Sequence, residues 1–173
     1  MKRCMIVMTM VVLAALAAGG CAQVPAQWKG ELSMRDIYLN LMTDEQAAVL
    51  RQMEKEEVDE EKRILYCQEI GVYQQWRAVP EDLRPTIRKG QIVEGMSPSE
   101  VQMAWGPPAV VENVTDAAER AAGHRSDLWS FMPRTDKQGT VSYDRQACFL
   151  DERLEWYKDL HKKSLWSRFA PRK

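Results

Sequence analysis

The chain has 173 residues, 24 Lys and Arg against 25 Asp and Glu, and a formal net charge of −1 at pH 7. Near-neutrality gives no bulk attraction to nucleic acid, so that class of partner is set aside. Two histidines in the whole chain are poor material for a zinc or iron centre, and there is no Gly-rich phosphate loop, serine elbow or paired-carboxylate motif.

Lys2 and Arg3 precede the apolar run MIVMTMVVLAALAA, which is short for a bilayer span and reads as a signal peptide over residues 1–20. It ends in LAAGGC, and small residues directly before Cys21 resemble the lipobox of bacterial lipoproteins. The resemblance implies diacylglycerol on the Cys21 sulfur, Cys21 as the mature N-terminus, and a lipid anchor strong enough to hold the protein on a membrane. Ala22 follows, and by the enterobacterial sorting rule a residue other than Asp there implies the outer membrane. The alternative is cleavage after Ala15-Leu16-Ala17, which would release a soluble periplasmic protein. Residues 21–31 lack periodicity and read as a lipidated tether. No second apolar stretch is long enough to span a membrane.

Residues 32–90 read as a helical extension. Ser33 with Asp36 makes a capping box flanked by Leu32 and Ile37 at staple spacing, and Thr43 with Gln46 makes a second, before Val49, Leu50 and Met53 on one face. The acidic run from Glu54 to Glu61 reads as a solvated face. KRILYCQEIGVYQQW, from Lys62 to Trp76, reads as one helix buried on more than one side and weakened by Gly71. Pro80 and Pro85 break the pattern, leaving Glu81 to Arg88 as a separate turn or short helix.

Within QIVEGMSPSEVQMAWGPP, residues 91–108, Ser97 is an N-cap, Pro98 the first helical residue and Glu100 the reciprocal capping partner. Met96 and Val101 form a staple, Gly106 supplies the terminating conformation, and Pro107-Pro108 prevent resumption. Val101 and Trp105 share one face, which a two-turn helix must lay on something to be stable.

After Pro108 the period changes to two. AVVENVT, SDLWSFM, SYDRQACFL and LEWYKD read as three or four antiparallel strands, with Asp151-Glu152 a two-residue turn. AAERAAGHRS and RTDKQGT read as the connecting loops, and His124 in the first as a solvated side chain. The fold class expected is therefore α+β: an N-terminal helical segment, then a short helix packed on a three- to four-stranded antiparallel sheet.

With Cys4 in the signal and Cys21 lipidated, Cys67 and Cys148 remain in an oxidising compartment, either as a disulfide between the helical and strand halves or as two buried thiols. The tail, residues 158–173, sets Leu160, Leu165, Trp166 and Phe169 among basic residues that include His161 nearby. It reads either as a contact for anionic lipid or lipopolysaccharide phosphate, or as a solubilising terminus.

Roughly residues 85–157 resemble the SmpA/OmlA family, the BamE-like outer-membrane lipoproteins, with the α+β module itself over residues 91–157. Gly95-Met96-Ser97, Glu100-Val101 and Trp105-Gly106-Pro107 carry the resemblance, followed by a strand with Trp129 and Phe131 and one ending in Phe149. It implies two helices on a three-stranded antiparallel sheet, and a module that helps assemble β-barrel proteins by binding envelope partners rather than by catalysis, with no cofactor and no metal. The helical segment is longer than that family's usual lead-in, so contact residues do not carry over. Two other classes stay open: a periplasmic inhibitor or ligand-binding lipoprotein, and an envelope hydrolase using Asp or Glu residues.

Overall fold

A computed structural model describes residues 30–160. The signal peptide, Cys21, most of the tether and the tail from His161 onward lie outside the described residues. The helices are α1 (Met34–Leu41), α2 (Asp44–Lys55), α3 (Glu60–Glu69), α4 (Val72–Ala78), α5 (Arg84–Arg88), α6 (Pro98–Trp105) and α7 (Ala117–Ala121). The strands are β1 (Val110–Asn113), β2 (Ser126–Thr135), β3 (Val141–Leu150) and β4 (Arg153–Asp159). The class is α+β, and the four strands form one antiparallel sheet in the order β1-β2-β3-β4. No helix among the described residues is long and apolar enough to cross a membrane.

The local start signals act as the spacing predicts. The Ser33, Thr43 and Ser97 side chains each accept from the backbone N–H three residues on, and Asp36, Gln46 and Glu100 reach back to the cap N–H. Each pair satisfies two donors that a helix start otherwise leaves open. Both staples hold buried residues: Leu32 with Ile37 under α1, Met96 with Val101 under α6.

Three expectations need correction. The stretch from Lys62 to Trp76 is two helices, because Gly71 adopts a left-handed conformation at φ 84° that ends α3 and begins α4. The first sheet connection contains α7, started by a fourth capping box in which Asp116 and Glu119 exchange hydrogen bonds. On α2, Ala47 and Leu50 face inward while Val49 is 46% exposed.

The main core is continuous across residue 90. Leu32, Ile37, Trp76, Val79 and Ile87 pack in one cluster with Val101, Trp105, Phe131, Phe149 and Leu154. The helical extension is therefore not a separate unit: α1, α4 and α5 complete the cover over the sheet. α1 is bonded to α6 directly, Asn40 Nδ2 donating to the Met103 carbonyl at 2.8 Å and Gln102 Nε2 to the Asn40 carbonyl at 2.9 Å. Only the outer helices form a second cluster, with Met42, Ala47, Leu50, Cys67 and Val72 at its centre.

The segment before α6 also lies along the outer edge of β4. Gly95 N–H donates to the Leu154 carbonyl, and Leu154 N–H to the Met96 carbonyl, both at 2.8 Å. Part of an exposed strand edge is thereby blunted.

The β3–β4 turn has Asp151 at φ 47° and Glu152 at φ 62°. Two positive φ values define the turn that matches strand twist, but a Glu there strains against its own backbone by about 1–2 kcal/mol. Glycine removes that strain and adds back roughly 0.5–1 kcal/mol of unfolded-chain entropy. Glu152→Gly is expected to raise stability by about 0.5–1 kcal/mol, read as an upward shift of the urea midpoint at unchanged slope.

Candidate functional site

Strand alternation divides the sheet into two unlike faces. Phe131, Ala147, Phe149 and Leu154 point into the main core with Trp129 packed beside them, and α6 lies on this side. Trp105 anchors the contact. Its ring meets Phe131 edge-on at 5.4 Å and Tyr157 at 6.0 Å, its Nε1–H donates to the Gly90 carbonyl at 3.2 Å, and the Arg145 guanidinium sits 5.0 Å over its ring. Asp159 holds that guanidinium at 3.3 Å.

The opposite face carries the alternate residues. Cys148 pairs across β3 with Leu128 on β2 and Trp156 on β4, and Glu112 on β1 pairs with Leu128. In the next row Val110, Ser130, Gln146 and Lys158 lie side by side. No helix of the main core lies on this face. Only α7, in the β1–β2 connection, comes near it, close enough for Glu119 to act on the Cys148 thiol. The face mixes apolar and polar residues: Cys148 is buried, Leu128 and Val110 are half-buried, Trp156 on the edge strand β4 is 44% exposed, and Glu112, Glu155 and Lys158 are exposed.

Trp156 reaches this face through a register shift. Phe149 pairs with Leu154 and Cys148 with Trp156, leaving Glu155 as an extra residue. Without that bulge, alternation from buried Leu154 would place Trp156 on the core side. The sequence shows an aromatic at 156 but not the bulge, so nothing in the string of residues marks Trp156 as outward-facing.

Of the two readings of Cys67 and Cys148, a disulfide or two buried thiols, the structure has both free and buried. Cys67 sits in the second helical cluster, whereas Cys148 is on the sheet face turned away from the helices. No backbone path brings them to bonding distance, since the main core stands between the elements that carry them. Burial raises both thiols above the ordinary value, and for Cys148 the charges of Glu155, Glu119 and Asp127 push the same way.

His124 is not simply solvated. Its Nδ1 lies 2.6 Å from Asp151 Oδ2, and Asp151 Oδ1 accepts the Arg125 N–H at 2.9 Å while Asp151 N–H donates to the Arg125 carbonyl at 2.8 Å. The β3–β4 turn is thus tied to the start of β2. His161 lies outside the described residues.

An open recess of about 510 Å³ lies at Trp76, Arg84 and Arg88. Its two carboxylates each face a guanidinium, Glu31 at 3.6 Å from Arg88 and Glu81 at 3.8 Å from Arg84. They do not converge on each other. Among the described residues no three His, Cys, Asp or Glu side chains are placed to hold a metal ion. No protein-family model, curated protein or solved structure matches the chain.

Native protein is expected to leave Cys67 and Cys148 unlabelled by a thiol-specific disulfide reagent, with both reacting at once in denaturant; a Cys67–Cys148 linked peptide in a non-reducing digest would contradict the geometry. Asp151 gives a pH dependence. The Arg125 N–H, then His124, hold its carboxyl below the ordinary value of 3.8. A depressed folded value means that the stabilisation is complete above 3.8 and lost as pH falls through the lower, folded value. Asp151→Asn should therefore flatten the fall in urea midpoint below about pH 4.

Proposed function

We propose that this chain is an outer-membrane lipoprotein, anchored through Cys21 and facing the periplasm, whose folded part is a non-catalytic protein-binding module accessory to β-barrel assembly. The observation that carries the binding reading is the exposed Trp156 on the edge strand β4, on the sheet face away from the main-core helices. An exposed tryptophan beside the buried Cys148, with Glu155 and Lys158 exposed next to it, is a side chain that docking surfaces favour. The face is broad and lacks a concave pocket with converging carboxylates, which is what a hydrolase using Asp or Glu would need.

The anchor rests on LAAGGC before Cys21. The class of partner rests on the resemblance of GMSPSEVQMAWGPP to SmpA/OmlA sequences. The chain departs from that family's pattern of two helices on three strands by having seven helices and four strands among the described residues.

The test is photo-crosslinking from position 158, exposed on the same face, in intact envelopes. Capture of barrel-assembly subunits is expected, with at least a tenfold loss in Trp156→Asp but not in Val141→Asp. Trp156 is exposed, so its substitution should change stability by no more than about 0.5 kcal/mol. Partner capture equal in all three proteins would remove the sheet face from the mechanism. In parallel, Cys21→Ala should move the protein to the soluble periplasmic fraction; continued membrane retention would overturn the anchor.

A further inference from the structure

The outer helices present a surface that the folded core does not use. On α3, Ile64 is 38% and Leu65 53% exposed, side by side on a helix whose buried residue is Cys67. Between Asp44 and Glu69 the sequence has nine carboxylates against four basic side chains. An exposed aliphatic pair within a field of net negative charge suits an apolar segment that brings positive charge with it.

The chain contains one such segment. Residues 161–173, HKKSLWSRFAPRK, hold five Lys or Arg and no Asp or Glu, so their formal charge offsets that of residues 44–69. Leu165, Trp166 and Phe169 have the spacing that one helical turn brings to a single side.

Where the described chain ends also fits. Leu160 N–H donates to the Asp144 carbonyl at 2.9 Å, and Asp159 holds Arg145 over the Trp105 ring. Trp105 closes α6, whose Met103 carbonyl takes the Asn40 side chain at the end of α1. Three residues on, Thr43 caps α2, and Tyr66 Oη on α3 donates to the Gln46 carbonyl at 3.2 Å. The exit of β4 and helix α3 are thus joined through a short series of direct contacts. Thirteen residues, extended, reach up to about 45 Å, and as a helix about 20 Å.

We infer that residues 161–173 dock on the α2–α3 surface of the same chain, seating Leu165, Trp166 and Phe169 against Ile64 and Leu65 with their basic side chains toward the acidic run. An intramolecular partner at this range has an effective concentration in the millimolar range, so even a weak contact is mostly closed. The docked tail is then withheld from anionic lipid. The inference is independent of the sheet-face reading, which concerns the other side of the fold.

The experiment uses the full chain with a photo-crosslinking residue at position 65 and, as a control, at Val141. Illumination at low salt should give a cross-link within one chain, mapped by mass spectrometry to the peptide containing Leu165 and Trp166, from position 65 only. Raising salt to about 0.5 M should cut its yield several-fold, since the attraction is between exposed charges. The double variant Trp166→Ser, Phe169→Ser should abolish it without changing the thermal midpoint. Cross-links from position 65 to lipid, to a second copy or to another protein, or none to the tail, would overturn the assignment.

Discussion

The seating of Trp105 on the sheet is the constraint from which the rest of this structure follows. Edge contacts with Phe131 and Tyr157, a hydrogen bond to Gly90 and the guanidinium of Arg145 over its ring fix one side chain from four directions. A buried tryptophan needs its N–H satisfied, and here the acceptor is the backbone between α5 and α6, so placing the ring also places that connection. α6 is too short to persist alone and exists because this ring and Val101 bury its face. α1 then bonds to α6 rather than to the sheet, and the outer helices hang from α1.

That arrangement makes the protein one-sided. The main-core helices gather over one face of the sheet, while on the other face Ser126, Ser130 and Cys148 are buried between their neighbours and Trp156 is 44% exposed. Burying the second face would require another layer, which the described chain does not supply. The outward position of Trp156 depends on a bulge that adds Glu155 and reverses the alternation of β4. The register shift thus leaves a large apolar side chain, 44% exposed, on the edge strand.

Much of the helical architecture was legible because its signals are local. Ser33-Asp36, Thr43-Gln46 and Ser97-Glu100 mark three helix starts, and Gly106 with two prolines marks one end; each involves atoms within four residues, so no distant information is needed. Asp116 and Glu119 carry the same signal for α7 and could have been read the same way. The break at Gly71 was less plain, since a glycine within an apolar run either weakens a helix or ends it. The left-handed backbone of Gly71, φ 84°, decides for the break.

The sequence by itself determined the α+β class, three capped helix starts, the alternating strands after Pro108 and the two-residue turn at Asp151-Glu152, because capping, alternation and turn chemistry act over a few residues. Tertiary structure alone decided that the helical segment completes the sheet's cover, that Cys67 and Cys148 stay apart, that His124 meets Asp151, and that Trp156 faces outward. These depend on which distant segments meet and in what register, and a one-residue shift in pairing exchanges the faces of a strand without altering its sequence.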